Sequence, residues 1–217
     1  DLGSLASVIE VIVDAVQSSG SEEGFPALVL KCSGSNGFNL TVNKGSVGVA
    51  CFEGETAKVP SIVQGYTDNG SDTSLRMGSG VTLTNIYRTG GDFRFASAAT
   101  LLEQREKAGE AVFVGGAVTL ATLTLYAGSL VMMPTAVDSQ ITNIVVGSNC
   151  VLDLSKSAYR VLCPNAIVAY KDAQIIDPFD RLATNNSGTN TISITPAGCN
   201  LSDIKIIRKT GKSYTGF

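Results

Sequence analysis

The sequence predicts a mainly β fold: a parallel β-solenoid of short coils, preceded by an amphipathic helix and a small antiparallel β region. Three observations carry this. Thr, Val, Ile and Ser fill long stretches, while charged residues make up only 16% and Trp is absent, a mixture that favours strands and tight turns over helices. Apolar runs are cut into strand-sized pieces by Gly and Pro, as Gly115, Gly116, Gly128 and Pro134 cut residues 111–137. Gly90, Gly109, Gly128 and Gly147 recur every nineteen residues, a period in the range of solenoid coils.

Taken in chain order, Leu5, Val8, Ile9, Ile12, Val13 and Val16 recur at three-and-four spacing over residues 4–17, with Ser4 placed to cap. That spacing predicts an amphipathic helix, which either covers one end of the sheet core or docks on a partner. A loop over 18–24 leads to alternating apolar runs at 27–32, 38–42 and 47–52, read as a small antiparallel meander. A polar loop over 64–79, containing Thr67, Asp68, Asn69, Gly70, Ser71, Asp72 and Thr73, closes an N-terminal attachment or oligomerisation region, residues 1–80. The solenoid domain with its terminal cap is expected over 81–217, beyond a boundary near Gly80.

Within that domain the glycines keep regular company. Thr84-Asn85-Ile86-Tyr87, Thr122-Leu123-Thr124-Leu125-Tyr126 and Thr142-Asn143-Ile144-Val145 each run into a glycine. Another short apolar stretch follows each corner, at 93–95, 111–114, 130–133 and 150–154. The unit is strand, Gly corner, strand. One copy cannot bury its own apolar face, but copies stacked at about 4.8 Å share a core and pair their backbones from coil to coil. Gly is expected at the corner because sharp bends often require positive φ.

Residues 101–107 are charged enough to read instead as a helix turn, and 155–160 interrupt the beat. Val161-Leu162-Cys163, Ile167-Val168-Ala169-Tyr170 and Gln174-Ile175-Ile176-Asp177-Pro178 resume it, and 192–195 and 204–207 give terminal strands. Pro178, Pro196, Lys205, Arg208, Lys209 and Lys212 suit a cap that blocks edge-to-edge pairing.

Thr142-Asn143-Ile144 with Gly147 and Val151-Leu152-Asp153-Leu154-Ser155, followed by Tyr170-Lys171-Asp172-Ala173-Gln174-Ile175-Ile176-Asp177-Pro178, resembles the coil pattern of β-helical virion structural proteins of tailed phages. The resemblance spans roughly residues 81–178. It implies capsid decoration, head-fibre or tail-associated parts, often trimeric and without catalysis. Residues 1–80 lie outside it.

Chemistry-bearing motifs are sparse. The chain has no His, which removes Ser-His and Cys-His pairs and most zinc constellations. Cys32, Cys51, Cys150, Cys163 and Cys199 are widely spaced without a C-x-x-C pair and read as small hydrophobes, with a disulfide framework as the alternative. Gly211-Lys212-Ser213 matches only the end of a phosphate loop, since Ile206 stands where its first Gly belongs. Asp68, Asn69, Asp72 and Thr73 offer oxygens, but the twelfth position from Asp68 is Ser79 rather than Glu. Asp153, Asp172, Asp177 and Asp180 are candidates for an acid and base pair on a groove, or for solvated turns. Tyr66, Tyr87, Tyr126, Tyr159 and Tyr170 are dispersed and read as half-buried strand positions.

No catalytic, cofactor-binding or metal-ligating residue is therefore assigned. With a net charge of −3 and scattered Lys and Arg, no nucleic-acid footprint is visible. No secretory leader pattern opens the sequence, and the uncharged run at 111–137 is too punctuated for a membrane helix. The reading is a non-catalytic structural component of a phage particle, located in the virion. Its expected partners are capsid or tail proteins and its own copies, as a homotrimer; nucleic acid and membrane are not expected. The alternatives are a tail-associated receptor- or glycan-binding module and a polysaccharide-cleaving enzyme on a β-helix.

Overall fold

The computed structural model describes residues 10–14, 28–32, 38–51, 56–64, 74–78, 81–88, 91–95, 98–104, 109–113, 119–134, 138–184 and 191–209. Its strands alternate between two parallel sheets. β1 (Glu10–Asp14) is followed by β2 (Leu28–Cys32), β3 (Asn39–Lys44) by β4 (Ser46–Cys51), and β5 (Ala57–Gln64) by β6 (Ser74–Met77). β7 (Val81–Arg88), β8 (Gly91–Phe95), β9 (Ala98–Gln104), β10 (Gly109–Phe113), β11 (Thr119–Leu125) and β12 (Ser129–Pro134) continue the alternation. The last coils hold β13 (Ser139–Val146), β14 (Val151–Asp153), β15 (Val161–Leu162), β16 (Ile167–Ala169), β17 (Gln174–Asp177), β18 (Leu182–Ala183), β19 (Ile194–Pro196) and β20 (Lys205–Arg208).

Odd-numbered strands from β1 to β15, with β16, β18 and β19, build an 11-stranded sheet; the 9-stranded sheet runs β2-β4-β6-β8-β10-β12-β14-β17-β20. Each turn up to β14 thus lays one strand on each sheet, the last two turns lay two on the larger, and every recorded pairing is parallel, the architecture of a β-solenoid. Buried Leu, Ile and Val from both sheets, including Leu40, Val49, Leu123, Leu130, Ile144 and Leu152, form one core cluster between them.

Four expectations are corrected. The amphipathic helix over 4–17 is not present: Glu10–Asp14 is a strand paired with β3, and the remaining residues of that span lie outside the described ones. Inward Val11 and Val13 alternate with outward Glu10, Ile12 and Asp14, so a period of two wins over the three-and-four spacing. The reason is composition: Val and Ile, stiff at χ1, fit a pleated surface better than a helix. The antiparallel meander is also absent, because β2 pairs with β4 and β3 with β5 in parallel. The apolar runs were read correctly as strands, but their partner lies one coil away rather than across a hairpin. Finally, Leu101 to Gln104 belong to β9 rather than a helix turn, and Ser74–Met77 forms β6 inside the span read as loop.

Coil length is set locally. Thr119 stands between Ala98 and Gln140, a step of twenty-one residues on either side, whereas Gly91 pairs with Gly109, eighteen residues on, and Gln174 with Lys205, thirty-one on. The nineteen-residue glycine interval is therefore not the coil step. Gly147 is stacked on Tyr126, its N–H donating to the Leu125 carbonyl at 2.8 Å, and not on Gly128.

The 11-stranded sheet is creased along one line. Pairing skips the step between Pro60 and Thr84, between Thr84 and Thr100, between Thr100 and Ala121, and between Ala121 and Thr142. At the crease two consecutive residues face outward, so inward positions read Leu120, Leu123, Leu125 and Ile141, Ile144, Val146. Asn143 Nδ2 donates to the crease carbonyl of Ala121 at 3.1 Å, and Asn165 Nδ2 donates to Asn143 Oδ1 at 2.7 Å. One coil later the crease opens into a break, and the single strand becomes β15 and β16. With β17 they are the three strands of that coil, two on the larger sheet and one on the smaller.

Candidate functional site

An open surface cleft lies where β11, β13 and β16 leave the creased sheet and turn toward the other. Register carries Leu125 onto Val146 and Val146 onto Ala169, which places Tyr126, Gly147 and Tyr170 on successive rungs. The Gly147 N–H to Leu125 carbonyl bond at 2.8 Å and the Tyr170 N–H to Val146 carbonyl bond at 3.0 Å extend that ladder into the corner.

The upper two corners are the same turn. The Cys150 N–H donates to the Gly147 carbonyl at 3.2 Å, and the Ala173 N–H to the Tyr170 carbonyl at 3.1 Å. Their third residues, Asn149 and Asp172, have φ of 58° and 60°. Positive φ at that position alone defines a type II turn, and Asn and Asp tolerate it better than other residues with a side chain. The lower corner is one residue shorter, with Gly128 at φ 77°.

Gly147 is not the positive-φ residue of its turn. It is required for a different reason: a Cβ there would lie 2.5 Å from the Leu125 carbonyl oxygen. Its bare backbone leaves a notch between Tyr126, 59% exposed, and Tyr170, 43% exposed. Together with Thr124, Leu125, Val145 and Ser148 they line an open cleft of about 440 Å³. Thr124 alternates outward between inward Leu123 and Leu125 yet is only 8% exposed, which puts it deep in this cleft. Among the described residues no carboxylate, ammonium or guanidinium lines it. Sequence reasoning had dispersed these tyrosines; the signal that unites them is the step from Tyr126 to Gly147 to Tyr170, which only the register supplies. Tyr159 stands apart from the cleft, Tyr87 is on β7, and Tyr66 lies outside the described residues.

The candidate carboxylates do not converge on a groove. Asp153 accepts the Ser155 N–H at 2.7 Å at the far end of β14, while Asp172 turns the opposite corner and its N–H donates to the Asp203 carbonyl at 2.9 Å. Asp177 and Asp180 are buried with Arg208. Arg208 lies 3.2 Å from the Asp177 carboxylate and 3.0 Å from that of Asp180, its guanidinium only 4% exposed. Asp177 also accepts the backbone N–H groups of Arg181 at 2.6 Å and Leu182 at 3.0 Å. Burial nevertheless raises the Asp177 carboxyl above its ordinary value, against the pull of those donors and of Arg208.

This cluster sits in a core column. Leu154 lies under Asp177, and Asp177 pairs with Arg208 on β20. The apolar column thus meets an ion cluster at β20, the last described strand, where Arg208 is buried rather than standing as an exposed edge charge. Lys205 and Lys209 are exposed as expected of edge residues; Lys212 and the Gly211-Lys212-Ser213 motif lie outside the described residues, as does the Asp68 to Thr73 loop. Cys150 and Cys163 are buried in the core, and burial pushes the Cys163 thiol up to about 12. Among the described residues no group of three His, Cys, Asp or Glu side chains is arranged to hold a metal, and no helix is long and apolar enough to cross a membrane.

Comparison with known proteins returns no match to a family model, to a curated protein or to a solved structure.

Proposed function

We propose that this protein is a non-catalytic structural component of a phage particle, a capsid decoration or head-fibre protein assembled with its own copies as a trimer. The observation that carries the reading is the construction of the chain as one stiff stack of coils. Such a stack shares a single core and makes a projecting or packing element without any reactive group. The internal ion cluster at the last rung supports it, since the carboxylates it holds together serve the cap. The first coil supports attachment: Ile12, Leu28 and Val29 are 60%, 41% and 48% exposed, apolar surface suited to a partner or a second copy.

Immunogold electron microscopy on particles purified from the producing culture tests the assignment. Gold over the heads is the expected result. Gold confined to tails moves the protein to the receptor-binding alternative, and unlabelled particles beside a labelled control remove it from the particle altogether. Sedimentation velocity tests the trimer, and a concentration-independent monomer ends that part of the proposal.

A further inference from the structure

We infer that Tyr126 and Tyr170 form an aromatic clamp across the Gly147 notch that binds one ring of a neutral saccharide. The inference concerns this corner alone and holds wherever the chain is assembled. Tyr126 and Tyr170 occur two rungs apart with a glycine between them, so the rungs that carry them are separated by about 9–10 Å. A planar ligand sandwiched between two aromatic faces at van der Waals contact needs about 7–8 Å. The wider gap suits a puckered, saturated ring, whose C–H faces meet the tyrosines.

Polarity narrows the ligand further. The lining offers the hydroxyls of Thr124, Tyr126, Ser148 and Tyr170 beside the apolar surface of Val145. Both halves of a sugar are matched: hydroxyls by hydroxyls, C–H faces by rings. Among the described residues of the lining there is no carboxylate to pair with an ammonium ligand and no Lys or Arg to pair with an acidic sugar. The occupant is therefore a neutral hexopyranose or N-acetylhexosamine unit.

The test is saturation-transfer NMR on the full-length protein with the methyl glycosides of glucose, galactose and N-acetylglucosamine. Tetramethylammonium and a planar phenol serve as the competing ligand classes. The expected result is transfer to the ring C–H protons of at least one glycoside. Binding should be about tenfold weaker in Tyr126→Ala and in Tyr170→Ala, the cost of one lost aromatic face, and largely kept in Tyr126→Phe. Both tyrosines are exposed, so the alanine variants should keep the wild-type circular-dichroism melt. Transfer to no glycoside, transfer that survives both alanine substitutions, or transfer only to tetramethylammonium or the phenol each overturns the inference.

Discussion

Gly147 answers two demands at once: it lets the Leu125 carbonyl approach and it leaves the notch between two tyrosines open. Because a Cβ would meet that oxygen at 2.5 Å, Gly147→Ala should destabilise the protein by about 1–3 kcal/mol, an overpacking cost, in chemical denaturation. Gly198 is the contrast, with φ +66° and open space around its Cα. Gly198→Ala meets only the left-handed backbone penalty, about 1 kcal/mol, so the ordering of the two variants is the check. Cys163 makes a further residue-scale prediction. With its thiol pushed up to about 12 and both it and Cys150 buried, neither should react with a disulfide reagent at pH 8 until the protein is unfolded. The reading of these two cysteines as core hydrophobes came from the sequence; the reason for Gly147 did not, since a glycine's neighbour across the coil is invisible in a linear string.

At the scale of the element, strands were legible and their partners were not. Val, Ile and Thr runs marked β7, β11 and β13, and the turn residues marked their ends. The crease was written in the sequence too, as the spacing of inward Leu120, Leu123 and Leu125, repeated by Ile141, Ile144 and Val146. It was missed because a step of three followed by a step of two is neither period-two nor helical. Asn143 secures this line with two hydrogen bonds, so Asn143→Ala should cost about 1–2 kcal/mol in equilibrium unfolding. The pair of Asp138 and Arg160 ties one corner to the next through Arg160 Nε at 2.9 Å and the Arg160 backbone N–H at 2.9 Å. Burial alone would raise the Asp138 carboxyl, but the hydrogen bonds and charge of Arg160 outweigh it and hold it below its ordinary 3.8. A carboxyl lowered on folding contributes stability that is complete above the unfolded value and is lost as pH falls through the folded one. Asp138→Asn should therefore flatten the acid limb of the stability profile below about pH 4 and leave neutral pH less affected than a buried-pair loss would.

For the whole molecule, the decisive feature is a buried ion cluster in the core. A core column running through Leu154 meets Asp177 and Arg208 at the last described rung, with Asp180 beside them and the Leu182 carbonyl accepting from Arg208 at 2.8 Å. Asp177→Ala leaves Arg208 buried with Asp180 as its one charged partner beside the Leu182 carbonyl, and a loss of about 3–5 kcal/mol is expected. Replacing Asp177, Asp180 and Arg208 together by apolar residues should recover most of that loss, because the cost lies in the orphaned charge rather than in the missing pair. Thermal unfolding of the single and triple variants separates the two. The pH sign for Asp177 is opposite to that for Asp138: its carboxyl is raised on folding, so its contribution falls as pH rises from the unfolded value through the folded one.

The sequence by itself determined that this is a strand-and-turn protein of stacked coils, because low charge, β-branched runs and Gly and Pro punctuation are local properties. It also determined that His-based chemistry is out of reach. Only the tertiary structure decided that Glu10–Asp14 within the N-terminal apolar stripe is a strand, that the early strands are parallel, and that coils differ in length. Each depends on which residues meet one coil away, and a chain with corners of unequal size does not announce that register. The same register brings Tyr126 and Tyr170 to either side of Gly147 and buries Asp177 against Arg208, so the cleft and the cap are products of stacking rather than of any motif.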